Sequence, residues 1–173
     1  MNCNMKTGYP MNLFETLSNR WQTSPVTEDE LTSLLGQIEV NWKRAIELLA
    51  PATLVVQNGT TGYGPLTFAF GSVVSLRAQT AVYKAHIDSL SVLPKELANN
   101  CVFSCINGSL YDQNRSRGML AEYLRKVLNV DDGSADLARD AVSEALALVE
   151  ETGNLTRLLK QGLDKLWNQY YMS

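Results

Sequence analysis

A chain of 173 residues with 45% hydrophobic and 19% charged residues is long enough to bury about 70% of its unfolded surface in one domain, so neither general disorder nor a disulfide-stapled miniature fits. The net charge of -3 excludes a diffuse basic surface of the kind that holds nucleic acid non-specifically. Any polynucleotide contact has to be local, made by a few arginines and multiplied by many copies.

Residues 1–25 hold turn residues and one short apolar group, Leu13, Phe14 and Leu17, and read as an arm with at most a short helix on a single bundle domain spanning 1–173. Thr27-Glu28-Asp29-Glu30 is a capping box: the threonine hydroxyl can accept from the Glu30 amide while the Glu30 carboxylate reaches back. Behind it Leu31, Leu34, Leu35, Ile38, Trp42, Ile46 and Leu49 recur at helical steps, predicting a helix about 33 Å long that stops at Pro51. Thr53–Val56 and Leu66–Phe70 are β-prone runs on either side of a glycine-rich connector, and predict a small two-stranded β ribbon. Gly59, Gly62 and Gly64 lack the Gly-Lys-Ser/Thr of a phosphate cradle, so that connector reads as a loop.

From Ser72 a series through Val73, Leu76, Thr80, Tyr83, Ile87 and Leu90 predicts a second helix ending before Pro94. Pro94 suits the first turn of a third, which carries Leu97, Cys101 and Cys105 and breaks at Gly108. A fourth spans about Ser116 to Leu128. Asp131 or Ser134 caps a fifth with Leu137, Ala141, Ala145, Leu148 and Val149 inward and Gly153 as its C-cap, and Leu155–Tyr170 forms a sixth. The expected fold is mainly α: a bundle of about five to six helices with a minor β ribbon.

The chain offers little for catalysis. His86 is the one histidine, and no nucleophile or orienting acid is tied to it by the sequence, so it reads as a packing or surface residue. Cys101 and Cys105 would share a helical face without histidine company, and read as buried packing residues and not as half of a metal site. No cofactor, metal or enzymatic activity is expected. No apolar run is long enough for a signal-peptide core or a membrane span, and the expectation is a protein that is not secreted and contacts no membrane. Sequons at Asn58, Asn107, Asn114 and Asn154 then carry no sugar.

What remains is the charge pattern between Asp112 and Arg157. Tyr111-Asp112-Gln113-Asn114-Arg115-Ser116-Arg117 sets two arginines close together, Arg125 and Lys126 follow, and Asp131-Asp132 opens the next helix. Acids at a helix start need no function, because they complement the helix dipole by about 0.3–1 kcal/mol, and solvated arginines need none either.

Val130-Asp131-Asp132, Thr152-Gly153, Arg157, Gly162-Leu163 and Trp167 resemble, in order and spacing, the RNA-binding region and following helix of the coat proteins of rod-shaped plant RNA viruses, of the tobamovirus kind. Tyr111-Asp112 and Asn114-Arg115 echo that family's aromatic-Asp group leading into Asn-Arg, with one extra residue. The likeness covers about the last third of the chain. It departs at Leu159-Lys160, where the family has Phe-Glu, and at Asn129, where it has a basic residue. The resemblance implies a structural subunit that assembles with copies of itself into a helical rod around single-stranded RNA, in the virion and the host cytoplasm. It implies RNA-binding roles for Asn114, Arg115, Arg117, Asp131, Asp132 and Arg157: arginines on phosphates, the paired acids near ribose hydroxyls or facing a neighbouring subunit's charges. A non-catalytic helical adaptor or regulatory protein stays open as an alternative. So does a relative of the globin-like phycobiliproteins, suggested by Ala-Glu-Tyr-Leu-Arg-Lys-Val-Leu, although Ser75-Leu76-Arg77-Ala78 lacks that family's bilin-attaching cysteine.

Overall fold

A computed structural model describes residues 12–57, 63–129 and 133–172. Among the described residues the fold is mainly helical, with five long helices. Helix α1 spans Leu13–Thr23, α2 Glu28–Gln57 and α3 Tyr63–Asp88. A 3-10 turn at Ser89–Ser91, one α-helical turn at Lys95–Ala98 and a π-helical turn at Asn99–Phe103 lead into α4, Ser104–Leu128. Helix α5 spans Gly133–Tyr171.

The capping box forms as read: the Glu30 amide donates to Thr27 Oγ1 at 3.1 Å, and the Thr27 amide donates to Glu30 Oε1 at 3.0 Å. From this start the apolar stripe of Leu31, Leu34, Leu35, Ile38, Trp42, Ala45 and Leu49 is buried. Helices α2, α3, α4 and α5 each pack against two neighbours and close a four-helix ring, with α5 returning to α2. Neighbours run antiparallel: Thr32 near the start of α2 meets Asp88 at the end of α3, and Tyr170 at the end of α5 donates to Glu28. Helix α1 lays Leu17 and Trp21 over one end, where the Trp21 indole donates to Glu30 and the Gln169 side chain both donates to and accepts from the Val26 backbone.

Two buried polar clusters fix register inside this apolar ring. Asn41 on α2 donates to Thr152 Oγ1 (3.1 Å) and to Glu151 (3.2 Å) on α5. Between α3 and α4, Gln79 donates to Ser109, Gln113 donates to Gln79, and the Tyr83 hydroxyl bonds Ser109. Shifting either pair by one helical step would leave these buried groups without partners, which costs more than the bonds contribute.

Several sequence expectations are corrected. The β ribbon is absent: the backbone is helical through Gln57 and again from Tyr63, so both β-prone runs lie within helices. Leu66, Ala69 and Val73 bury one helical face against the core, and that packing overrides the strand propensity of the intervening residues. Pro51 does not stop α2. It removes one backbone donor, but it is exposed, so the carbonyl it leaves free can be hydrated, while Leu49 and Ala52 on either side are buried. Gly108 does not break α4, because Ile106 and Leu110 are buried on both sides of it. Cys101 and Cys105 are exposed. The π-helical turn displaces the register there, so that Ala98, Val102, Phe103 and Ile106 fill the core instead. The expected turn at Thr152-Gly153 is continuous helix: Thr152 is buried, its hydroxyl donates back to the Leu148 carbonyl at 2.7 Å, and the predicted fifth and sixth helices are one.

Candidate nucleic-acid interface

The seam where α4 and α5 cross antiparallel gathers the basic residues. On α4, Asn107, Asn114, Arg117 and Arg125 fall at steps of seven, three and eight, which keeps them along the edge that meets α5. On α5, Glu150, Asn154, Arg157 and Lys160 do the same toward α4. The side chains interleave. Arg117 donates through Nε (3.3 Å) and Nη2 (3.1 Å) to Asn114 Oδ1, and Arg157 donates to Asn154. Lys160 bonds Asn107 (3.3 Å) and pairs with Asp164 (2.9 Å), and Arg125 pairs with Glu150 at 3.4 Å.

Gly153 makes this arrangement possible. A Cβ at that position would lie 2.8 Å from Arg117 Cζ and 3.0 Å from Nε, so the guanidinium rests on the bare backbone of α5. Burial lowers the Arg117 pKa, the neighbouring Arg157 and Arg125 lower it further, and Glu150 acts in the opposite direction. Arginine remains protonated at any relevant pH. The shift reflects burial of the guanidinium first, and its nearness to Arg157 and Arg125 second. Neither Arg117 nor Arg157 forms an ion pair among the described residues. Next to them lies a depression of about 260 Å³ lined by Leu110, Tyr111, Asn114, Thr156, Arg157 and Lys160, with Tyr111 75% exposed at its rim. Guanidinium groups beside an apolar slot with an exposed aromatic ring can take a phosphate and the flat face of a base together.

Of the six RNA-binding residues read from sequence, the structure brings Asn114, Arg117 and Arg157 together. It separates Arg115, which sits about 100° around α4 from Asn114, is exposed, and pairs with Asp112 at 3.7 Å. Asp131 and Asp132 lie outside the described residues. Arg125, Lys160, Asn107 and Asn154 were missed as site members. Their signal was available in the three-, four- and seven-residue spacing along both segments, once each is known to be one uninterrupted helix. No cluster able to hold a metal ion occurs among the described residues.

Comparison of the chain with protein-family models, with curated proteins and with solved structures finds no match.

Proposed function

We propose that this chain is a structural coat subunit that assembles with its own copies into a helical rod and encapsidates single-stranded RNA. The observation that carries the reading is the pair Arg117 and Arg157, which form no ion pair within 4.0 Å among the described residues and lie close enough across the α4–α5 seam to act on each other's charge, with Arg157 lining an apolar slot. In this reading the two guanidinium groups hold a backbone phosphate, Asn114 orients Arg117, and a base lies against Leu110 and Tyr111 without its edge being read. A single such site in a chain of net charge -3 binds weakly, and the strength comes from repetition along one RNA strand.

The assembly itself should respond to acid. Of the carboxylates exposed on α5, Asp136, Glu144 and Glu150 pair with Arg139, Arg44 and Arg125, so repulsion between copies that bring these faces together, relieved by acid or salt, rests mainly on Asp140 and Glu151. Electron microscopy of concentrated protein with single-stranded RNA tests the reading: discs or rods near pH 5, and small oligomers at mildly alkaline pH and low salt. A species that never exceeds a pair at either pH, with or without RNA, contradicts it.

A further inference from the structure

Soluble four-helix bundles normally turn a charged edge to water, and α5 does so with Asp136, Asp140, Glu144, Glu150, Arg157 and Asp164 all exposed. Helix α3 does not. From Thr67 to Ala85 every exposed residue on it is uncharged, while Arg77 and Lys84 are half-buried to one side. Large apolar groups stand in the open on this face: Phe68 is 66% exposed, Val74 44% and Val82 51%.

The pattern along the face is a second heptad, distinct from the one that faces the core. Phe68, Ser75 and Val82 repeat at seven, and Gly71, Ala78 and Ala85 repeat at seven three residues later. Core-facing positions of α3, among them Leu66, Val73 and Tyr83, are already filled inside the bundle. An outward seam with alternating three- and four-residue steps has the spacing that receives another helix.

We infer that α3 pairs face to face and antiparallel with α3 of a second copy of this chain. The seam is complementary to itself in that orientation and in no other. Antiparallel pairing opposes the two heptad positions, so Phe68 of each copy meets Ala85 of the other, Val82 meets Gly71, and Ser75 meets Ala78. Phe68 and Val82, the large residues of the seam, each land on a small one, and Val74 flanks it. Parallel pairing would set Phe68 on Phe68 and Gly71 on Gly71, crowding one level and leaving a void at the next.

Two features of the surface match this occupant. Phe68 is held as a fixed knob by stacking on Tyr123, with ring centroids 5.8 Å apart, and beside it runs a groove of about 470 Å³ bordered by Gly71, Ser72, Gln79 and Ser116. The size also fits. At 1.5 Å per residue α3 is ~39 Å long, and with the adjoining α4 ridge of Met119 and Tyr123 the face is ~20 Å wide, which offers roughly 800 Å² per partner, the area of an ordinary stable interface. A two-fold contact closes on itself. Growth of a rod has to use other faces, so this pairing does not depend on the RNA reading.

Sedimentation of nucleic-acid-free protein at low salt and mildly alkaline pH tests the inference. The expected species has twice the 19.2 kDa chain mass and dissociates on dilution. Ala78→Glu, at an exposed position and therefore expected to leave the circular dichroism spectrum unchanged, places a carboxylate at the centre of the seam and should raise the dimer Kd by about 100-fold or more. With Cys3, Cys101 and Cys105 replaced by serine, the double variant Ser75→Cys, Ala78→Cys should form a disulfide-linked dimer on mild oxidation, while Ser143→Cys on the exposed edge of α5 should not. A protein that is monomeric at every concentration overturns the inference, as does a dimer unaffected by Ala78→Glu or cross-linked equally through position 143. Arg117→Glu with Arg157→Glu should abolish RNA binding and leave the pair intact, which separates the two proposals.

Discussion

Two glycines on α5 respond oppositely to the same added methyl group. Alanine in a helix interior is favoured over glycine by about 1 kcal/mol, and that gain is available at both Gly153 and Gly162. At Gly162 the new Cβ would lie 2.7 Å from both Leu31 Cδ2 and Trp21 Cη2, side chains locked in the core. Forcing a methyl group into a packed interior costs about 1–3 kcal/mol, so Gly162→Ala should lose up to about 2 kcal/mol net. At Gly153 the obstructing atoms belong to the end of the Arg117 side chain, which can swing toward solvent at the cost of its bonds to Asn114. Surface bonds of that kind contribute about 0.5 kcal/mol each, so Gly153→Ala should be neutral or slightly stabilising. Gly36→Ala calibrates the pair, because nothing lies within 4 Å of its Cβ position. In a domain of this size 1 kcal/mol moves Tm by about 2–4 °C. Thermal unfolding followed by circular dichroism should therefore rank the variants Gly36→Ala highest, Gly153→Ala near wild type and Gly162→Ala lowest by several degrees. RNA affinity should fall only in Gly153→Ala. If Gly153→Ala unfolds as early as Gly162→Ala, the Arg117 guanidinium is packed as core and not held available for an anion, and the reasoning fails.

Three further outcomes follow from the same geometry. Thr27→Ala removes the hydroxyl that caps α2 and should cost about 1 kcal/mol in a denaturant titration, with the m-value unchanged. Burial raises the Glu30 pKa, but hydrogen bonds from Trp21 and Thr27 and the charge of Arg20 outweigh it, so the net shift is downward. Its contribution to stability is present above the ordinary carboxylate range and is lost as pH falls through the lowered value, so Glu30→Gln should flatten the decline of Tm between about pH 5 and pH 3. Burial, with Asp112 nearby, pushes Tyr83 up to about 12 from 10.0. Its neutral phenol therefore supports the fold below pH 10, and that support is lost on passing through about 12. In an ultraviolet titration Tyr83 should ionise near 12, with Tyr170 shifted in the same direction by burial and Glu28, and Tyr83→Phe should remove the step near 12.

The elements legible in the sequence are those whose signal is local. The α2 start could be read because the capping box needs only four residues, and the apolar stripes could be read because burial repeats at helical spacing. Misreadings came where a local punctuator met a stronger tertiary demand. Pro51, Gly108 and Thr152-Gly153 all carry helix-ending chemistry, yet the buried neighbours Ala52, Leu110 and Leu155 reward continuing the helix past each of them. The inserted π-helical turn left no trace in composition, and it moved the cysteines from the expected core to the surface. For the candidate site, Asn114, Arg117 and Arg157 were named from a family likeness in the last third of the chain, and the fold places them side by side although Arg157 is forty residues from Arg117. Arg125 stood in the charge pattern and Lys160 in the helical spacing, but neither could be assigned to the seam until α4 and α5 lay side by side, since a seam between helices is set by which face each one buries. Arg115 shows the converse: adjacent to Asn114 in sequence, it points elsewhere because successive helical residues diverge by about 100°.

If the α4–α5 seam holds the phosphate backbone of a single strand, as we propose, the salt dependence of binding measures that directly. Affinity of the protein for a single-stranded RNA oligonucleotide, followed by fluorescence anisotropy across a salt series, should fall linearly on a double-logarithmic plot, with about 0.7 of slope for each phosphate neutralised. The double variant Arg117→Ala, Arg157→Ala should bind more weakly at low salt, and its slope should be shallower by about 0.7, the share of the one phosphate the two guanidinium groups hold. Equal affinity and an unchanged slope in that variant would place the polynucleotide elsewhere and contradict the account.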